Sequence, residues 1–70
     1  MDTASGRITI ALIPRAAAHL RALQDATGLS KTDIVNRAIS LYEFTETAAA
    51  AGAEILVRSP GGETQQVKFL

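Results

Sequence analysis

Arg7-Ile8-Thr9-Ile10-Ala11-Leu12-Ile13-Pro14 constrains this chain more than any other stretch. It alternates polar or small residues with large apolar ones, and a proline stops it. A period of two is the pattern of a half-buried strand, expected here over residues 7–13. One such strand is not stable alone. No second strand pattern follows until the far end of the chain. The simplest partner is the same strand from a second copy, in an antiparallel ribbon with a two-fold axis. Ile8, Ile10 and Leu12 then form its greasy underside. Arg7, Thr9 and Ala11 are presented twice on the other face. A two-stranded ribbon fits the major groove of B-DNA, so the segment points to dimerisation and DNA reading together.

Chain length supports the second copy. Seventy residues make one small domain, and small domains bury too little surface to be comfortable alone. With no cysteine and one histidine, neither a disulfide nor a zinc site is expected to staple it. Oligomerisation is the remaining way to enlarge the core. No apolar run approaches the roughly 18 residues of a membrane span, and no membrane partner is expected. The first residues lack the basic flank and apolar run of a secretory signal, so a soluble cytoplasmic protein is the expectation.

Net charge is zero, from seven basic and seven acidic residues. A DNA-binding domain is ordinarily basic. The charge is uneven, however. Arg7, Arg15, Arg21, Lys31 and Arg37 outnumber Asp2, Asp25 and Asp33 in the first 40 residues, and the remainder is correspondingly acidic. A dimer doubles the N-terminal excess.

Two helices are expected, over residues 14–27 and 31–51. Pro14 suits a first helical turn because its φ is already helical and its missing N–H would be unpaired there. Ala16, Leu20, Leu23 and Thr27 mark one face of the first helix, with Arg15, Arg21, Gln24 and Asp25 mostly solvated. His19 is read as a bystander, and Gly28 ends the helix. Ser30-Lys31-Thr32-Asp33 starts the second helix as a capping box. Ile34, Ala38, Leu41 and Thr45 form its stripe, flanked by Val35, Ile39 and Tyr42. The pattern continues through Phe44 and the alanines at 48–51 to Gly52. Ser30 has two readings at this point, a plain cap or a phosphate contact at a helix N-terminus.

Residues 53–70 are expected to form a β-hairpin. Glu54-Ile55-Leu56-Val57-Arg58 and Thr64-Gln65-Gln66-Val67-Lys68-Phe69-Leu70 flank the turn signal Ser59-Pro60-Gly61-Gly62. Opposing residues whose numbers sum to 122 pair Ile55 with Val67, Ala53 with Phe69 and Glu54 with Lys68. A sum of 121 sets Ile55 against Gln66 and Val57 against Thr64, which spoils both faces. Register follows the hydrophobic pattern, so 122 is expected. The apolar face is expected to cover the alanine-rich end of the second helix or a partner subunit.

Strand, proline-started helix, Gly-x-Ser turn and longer capped helix, in that order, resemble the ribbon-helix-helix (Arc/MetJ/CopG) superfamily. Arg7-Ile8-Thr9-Ile10-Ala11-Leu12, Pro14, Gly28-Leu29-Ser30-Lys31-Thr32-Asp33-Ile34 and Ala38 carry the resemblance, which covers roughly residues 6–46. It implies an intertwined homodimer, mainly α with short β, over residues 7–52, and says nothing of the hairpin after Gly52; a flexible arm is expected over residues 1–6. It also implies that Arg7, Thr9 and Ala11 face bases, while Ser30, Lys31 and Thr32 grip a phosphate. Ile8, Ile10, Leu12, Ile34, Ala38 and Leu41 become the dimer core. Ala11 departs from the pattern, since the family more often has a polar reader there. Alanine can touch a thymine methyl but donates no hydrogen bond, so specificity leans on Arg7 and Thr9.

The function expected is a dimeric, sequence-specific DNA-binding transcriptional regulator, a repressor or plasmid or phage control protein. Double-stranded DNA and a second copy are its expected partners. Two alternatives stay open: an antitoxin that binds a toxin through its C-terminal part, and a protein-interaction module that has lost DNA binding. No catalytic residue, metal site or cofactor is expected, because the chain lacks a Gly-rich phosphate loop and a nucleophile–base set.

Overall fold

A computed structural model describes residues 6–68. The first five residues of the expected N-terminal arm, and the expected Ala53–Phe69 pair, therefore lie outside the described residues. The chain is mainly helical, with a two-stranded antiparallel sheet: α1 (Pro14–Thr27), α2 (Lys31–Ala50), β1 (Leu56–Arg58) and β2 (Thr64–Gln66). It divides into two compact units, Met1–Ile34 and Val35–Leu70.

In the first unit, Gly6–Ile13 is neither helix nor strand. A strand needs a ladder, and the described residues provide no partner for one. Ile13 is extended (φ −67°, ψ 157°) and caps α1 without a side-chain hydrogen bond. Its carbonyl accepts the first helical bond, from the Ala17 N–H at 3.0 Å. At the other end, the Thr27 hydroxyl donates to the Leu23 carbonyl (2.6 Å) and accepts from the Leu29 N–H (3.2 Å).

The covered stripe of α1 is Ala16, Leu20 and Gln24, all half-buried, while Leu23 and Thr27 are exposed. This corrects the expected face of Ala16, Leu20, Leu23 and Thr27 and the expected solvation of Gln24. Besides these, among the described residues of the unit, only Leu29, which is half-buried, and Ile34, which is buried, are covered. Two side chains from one short loop and one helical turn cannot cover the roughly 100° face of an amphipathic helix. Thr27 meanwhile spends its hydroxyl on its own helix.

Ser30 begins α2 as expected. Its Oγ accepts the Asp33 N–H at 3.1 Å, and its carbonyl accepts the Ile34 N–H at 3.0 Å. In the second unit, Thr45 is buried and Val35 and Ala48 are half-buried, but Ala38, Ile39, Leu41, Tyr42 and Phe44 are exposed. Thr45 is not an orphaned polar group, because its Oγ1 donates to the Tyr42 carbonyl at 2.8 Å.

α2 stops in a Schellman arrangement, with the Ala53 N–H on the Ala48 carbonyl (3.0 Å) and the Gly52 N–H on the Ala49 carbonyl (2.9 Å). Gly52 sits at φ 92° to make that turn. A Cβ there would meet no neighbour, so Gly52→Ala isolates the backbone term. We expect it to cost about 1–2 kcal/mol, read as a lower urea midpoint at unchanged m-value.

The hairpin adopts the expected register of 122, with Leu56 opposite Gln66, Val57 opposite Gln65 and Arg58 opposite Thr64. The Val67 N–H extends it by donating to the Ile55 carbonyl at 2.8 Å. Residues 60–62 form the three-residue loop, closed by Ser59 N–H to Glu63 carbonyl (2.7 Å) and Gly62 N–H to Ser59 carbonyl (2.9 Å). Gly62 takes φ 92°, the left-handed position such loops assign to glycine. Ile55 and Val67 are half-buried, and with Thr45, Ala49 and Ala53 they border a shallow hollow of about 280 Å³. Only Ile55 and Val67 of the expected apolar face approach the alanine-rich end of α2 in this way; Val57 is exposed, and Phe69 lies outside the described residues. No helix among the described residues is long and apolar enough to cross a membrane.

Candidate nucleic-acid interface

Alternation along the N-terminal segment separates Arg7, Thr9 and Ala11 from Ile8, Ile10 and Leu12. All six are exposed in the single chain. For the apolar three the exposure is large: 75% for Ile8, 55% for Ile10 and 46% for Leu12. Pro14 ends the segment because the chain must turn into α1 there. The polar and apolar sets are therefore held immediately before a rigid helix.

Ser30, Lys31 and Thr32 stand at the start of α2 and are also exposed. They belong to the same compact unit as Arg7, Thr9 and Ala11. The first N–H groups of a helix have no intrahelical partner, and its dipole favours an anion there. Asp33 lies in that first turn, and its N–H is already held by Ser30. A hydroxyl that accepts one bond still has its own proton to give. Capping by Ser30 therefore leaves it able to donate to a phosphate oxygen, and the two readings of this residue are compatible.

The six residues expected as dimer core divide unevenly. Ile34 is buried; Ile8, Ile10, Leu12, Ala38 and Leu41 are not. Beyond that set, Leu23, Ile39, Tyr42 and Phe44 are large side chains left exposed. The Tyr42 hydroxyl hydrogen-bonds Glu46, and that bond with the carboxylate's charge raises its pKa above the ordinary value. His19 is exposed, and no group of three or more His, Cys, Asp or Glu among the described residues is placed to hold a metal ion.

The chain matches no protein-family model, no curated protein and no solved structure.

Proposed function

We propose that this protein is a dimeric, sequence-specific DNA-binding regulator of the ribbon-helix-helix kind, a repressor or a plasmid or phage control protein. One observation carries the reading. The alternating segment before Pro14 has no partner strand among the described residues, and its alternating apolar residues Ile8, Ile10 and Leu12 are exposed. Exposed apolar side chains are unfavourable, and a lone strand has no ladder to hold it. A second copy paired through Ile8, Ile10 and Leu12 supplies both the cover and the ladder. The opposite face of the resulting ribbon carries Arg7 and Thr9 twice, and an arginine fork is the commonest specific reader of guanine. Ser30 and Lys31 at the start of α2 then supply the phosphate anchor.

The test is a gel shift with the DNA upstream of the protein's own gene, over a range of salt. Binding that weakens steeply with salt supports the regulator. No shift at low salt favours an interaction module, and co-purification with an adjacent gene product favours an antitoxin.

The hairpin has a separate role in this reading. Deleting residues 53–70 uncovers Thr45 and removes the cover over the alanine-rich end of α2. We expect thermal stability to fall by about 1–3 kcal/mol while the preference for cognate over random DNA persists. A truncated chain that kept its stability and lost its operator would place the hairpin on the DNA-binding surface instead.

A further inference from the structure

One edge of the hairpin is open, and its sequence is complementary to itself. The Ile55 carbonyl accepts from the Val67 N–H and the Ser59 N–H donates to the Glu63 carbonyl, just beyond the two ends of β2, so the odd-numbered residues from 55 to 59 spend their backbone groups inward. Alternation in an antiparallel ladder then turns the N–H and C=O of Leu56 and Arg58 outward, and, continued past Ile55, those of Glu54, which lies two residues before β1. The edge they form, Glu54-Ile55-Leu56-Val57-Arg58, has no proline and no charge in its middle. Leu56 and Val57 are 54% and 52% exposed, on opposite faces. An edge of this composition is a template for another strand.

An antiparallel pairing of two such edges about Leu56 sets Glu54 opposite Arg58 of a second copy, and does so twice. Ile55 falls opposite Val57, also twice, and Leu56 meets itself. The outward groups are in phase, since Glu54, Leu56 and Arg58 all face their counterparts. A slip of one residue sets outward groups against inward ones, and a slip of two separates the charges. The other edge lacks this property: its outward residues Thr64, Gln66 and Lys68 would set threonine against lysine.

We propose that β1 is a self-association strand, pairing with β1 of a second copy about Leu56 to join two hairpins into a four-stranded sheet, β2-β1-β1-β2. The two-fold axis runs through the sheet, so the faces bearing Ile55, Val57 and α2 lie on the same side, and each Val57 is covered by the other copy. The inference uses the hairpin alone and does not depend on DNA binding.

Because the chain has no cysteine, the full-length Leu56→Cys variant reports the pairing directly. The two Cα atoms would lie about 5.5 Å apart, within reach of a short bis-maleimide, and covalent dimer is the expected main product. Gln65→Cys is the control, since two β2 strands in that sheet are about 14 Å apart. Adding Glu54→Arg to Leu56→Cys sets like charges opposite each other twice and lowers the yield about tenfold. Adding Glu54→Arg and Arg58→Glu together restores it. A Leu56→Cys yield no higher than that of Gln65→Cys overturns the proposal, as does a charge swap that fails to restore pairing. Arg7→Ala leaves the cross-link yield unchanged, so loss of DNA reading and loss of strand pairing are told apart.

Discussion

Replacing Ile10 by aspartate is expected to abolish the folded dimer. In the single chain Ile10 is 55% exposed, so the substitution would look harmless on that structure alone. In a ribbon built from two copies it lies at the centre of the buried underside. Each dimer then loses two isoleucine side chains, worth about 1.5–3 kcal/mol each on burial. It also gains two carboxylates without partners near the two-fold axis, and each must be desolvated or protonated at a further cost of several kcal/mol. The total rivals the roughly 5–15 kcal/mol stability of an ordinary domain. Circular dichroism should show loss of helix, and sedimentation should show loss of the dimer. Thr9→Asp is the matched control, because the same charge on the other face stays in water and should leave the dimer intact. A folded Ile10→Asp protein that stays dimeric when Glu54→Arg also blocks β1 pairing would refute the inward assignment of Ile10 and, with it, the ribbon.

The elements were legible in the sequence wherever a local rule decides them. Pro14 and Gly28 bracket α1, and Ser30 starts α2 through a hydrogen bond to the Asp33 N–H. The hairpin register followed from side-chain alternation, because one residue of slip would have set Ile55 against glutamine. Burial was less legible. Gln24 is half-buried while Leu23 is exposed, because what covers a helix face depends on neighbours that periodicity does not name. The middle of α2 makes the same point: Ala38 and Leu41 read as core and are exposed in one chain. Hydrophobic pattern marks what should be buried, not which molecule buries it. The self-complementary edge of β1 was also out of reach from the sequence, since it depends on which backbone groups point away from β2.

Reading and anchoring separate in the last pair of variants. Arg7→Ala should cost about 1–3 kcal/mol at the cognate site, roughly 5- to 150-fold, and should relax preference at a single base pair in each half-site. The reason is geometric. An arginine fork that matches guanine O6 and N7 together loses that match on any other base. Lys31→Ala should weaken cognate and random DNA about equally and flatten the salt dependence by about one unit of slope for each phosphate left without its lysine. A lysine at a helix start is a compact charge beside a backbone phosphate, and every sequence offers that phosphate. Fluorescence anisotropy on cognate and scrambled duplexes, repeated across salt concentrations, measures both quantities. Because the whole chain carries no net charge, little nonspecific attraction is available to mask either effect. Equal losses on both duplexes for Arg7→Ala would demote Arg7 to a phosphate anchor. Base reading would then fall to Thr9 and Ala11, whose short side chains make no bidentate match.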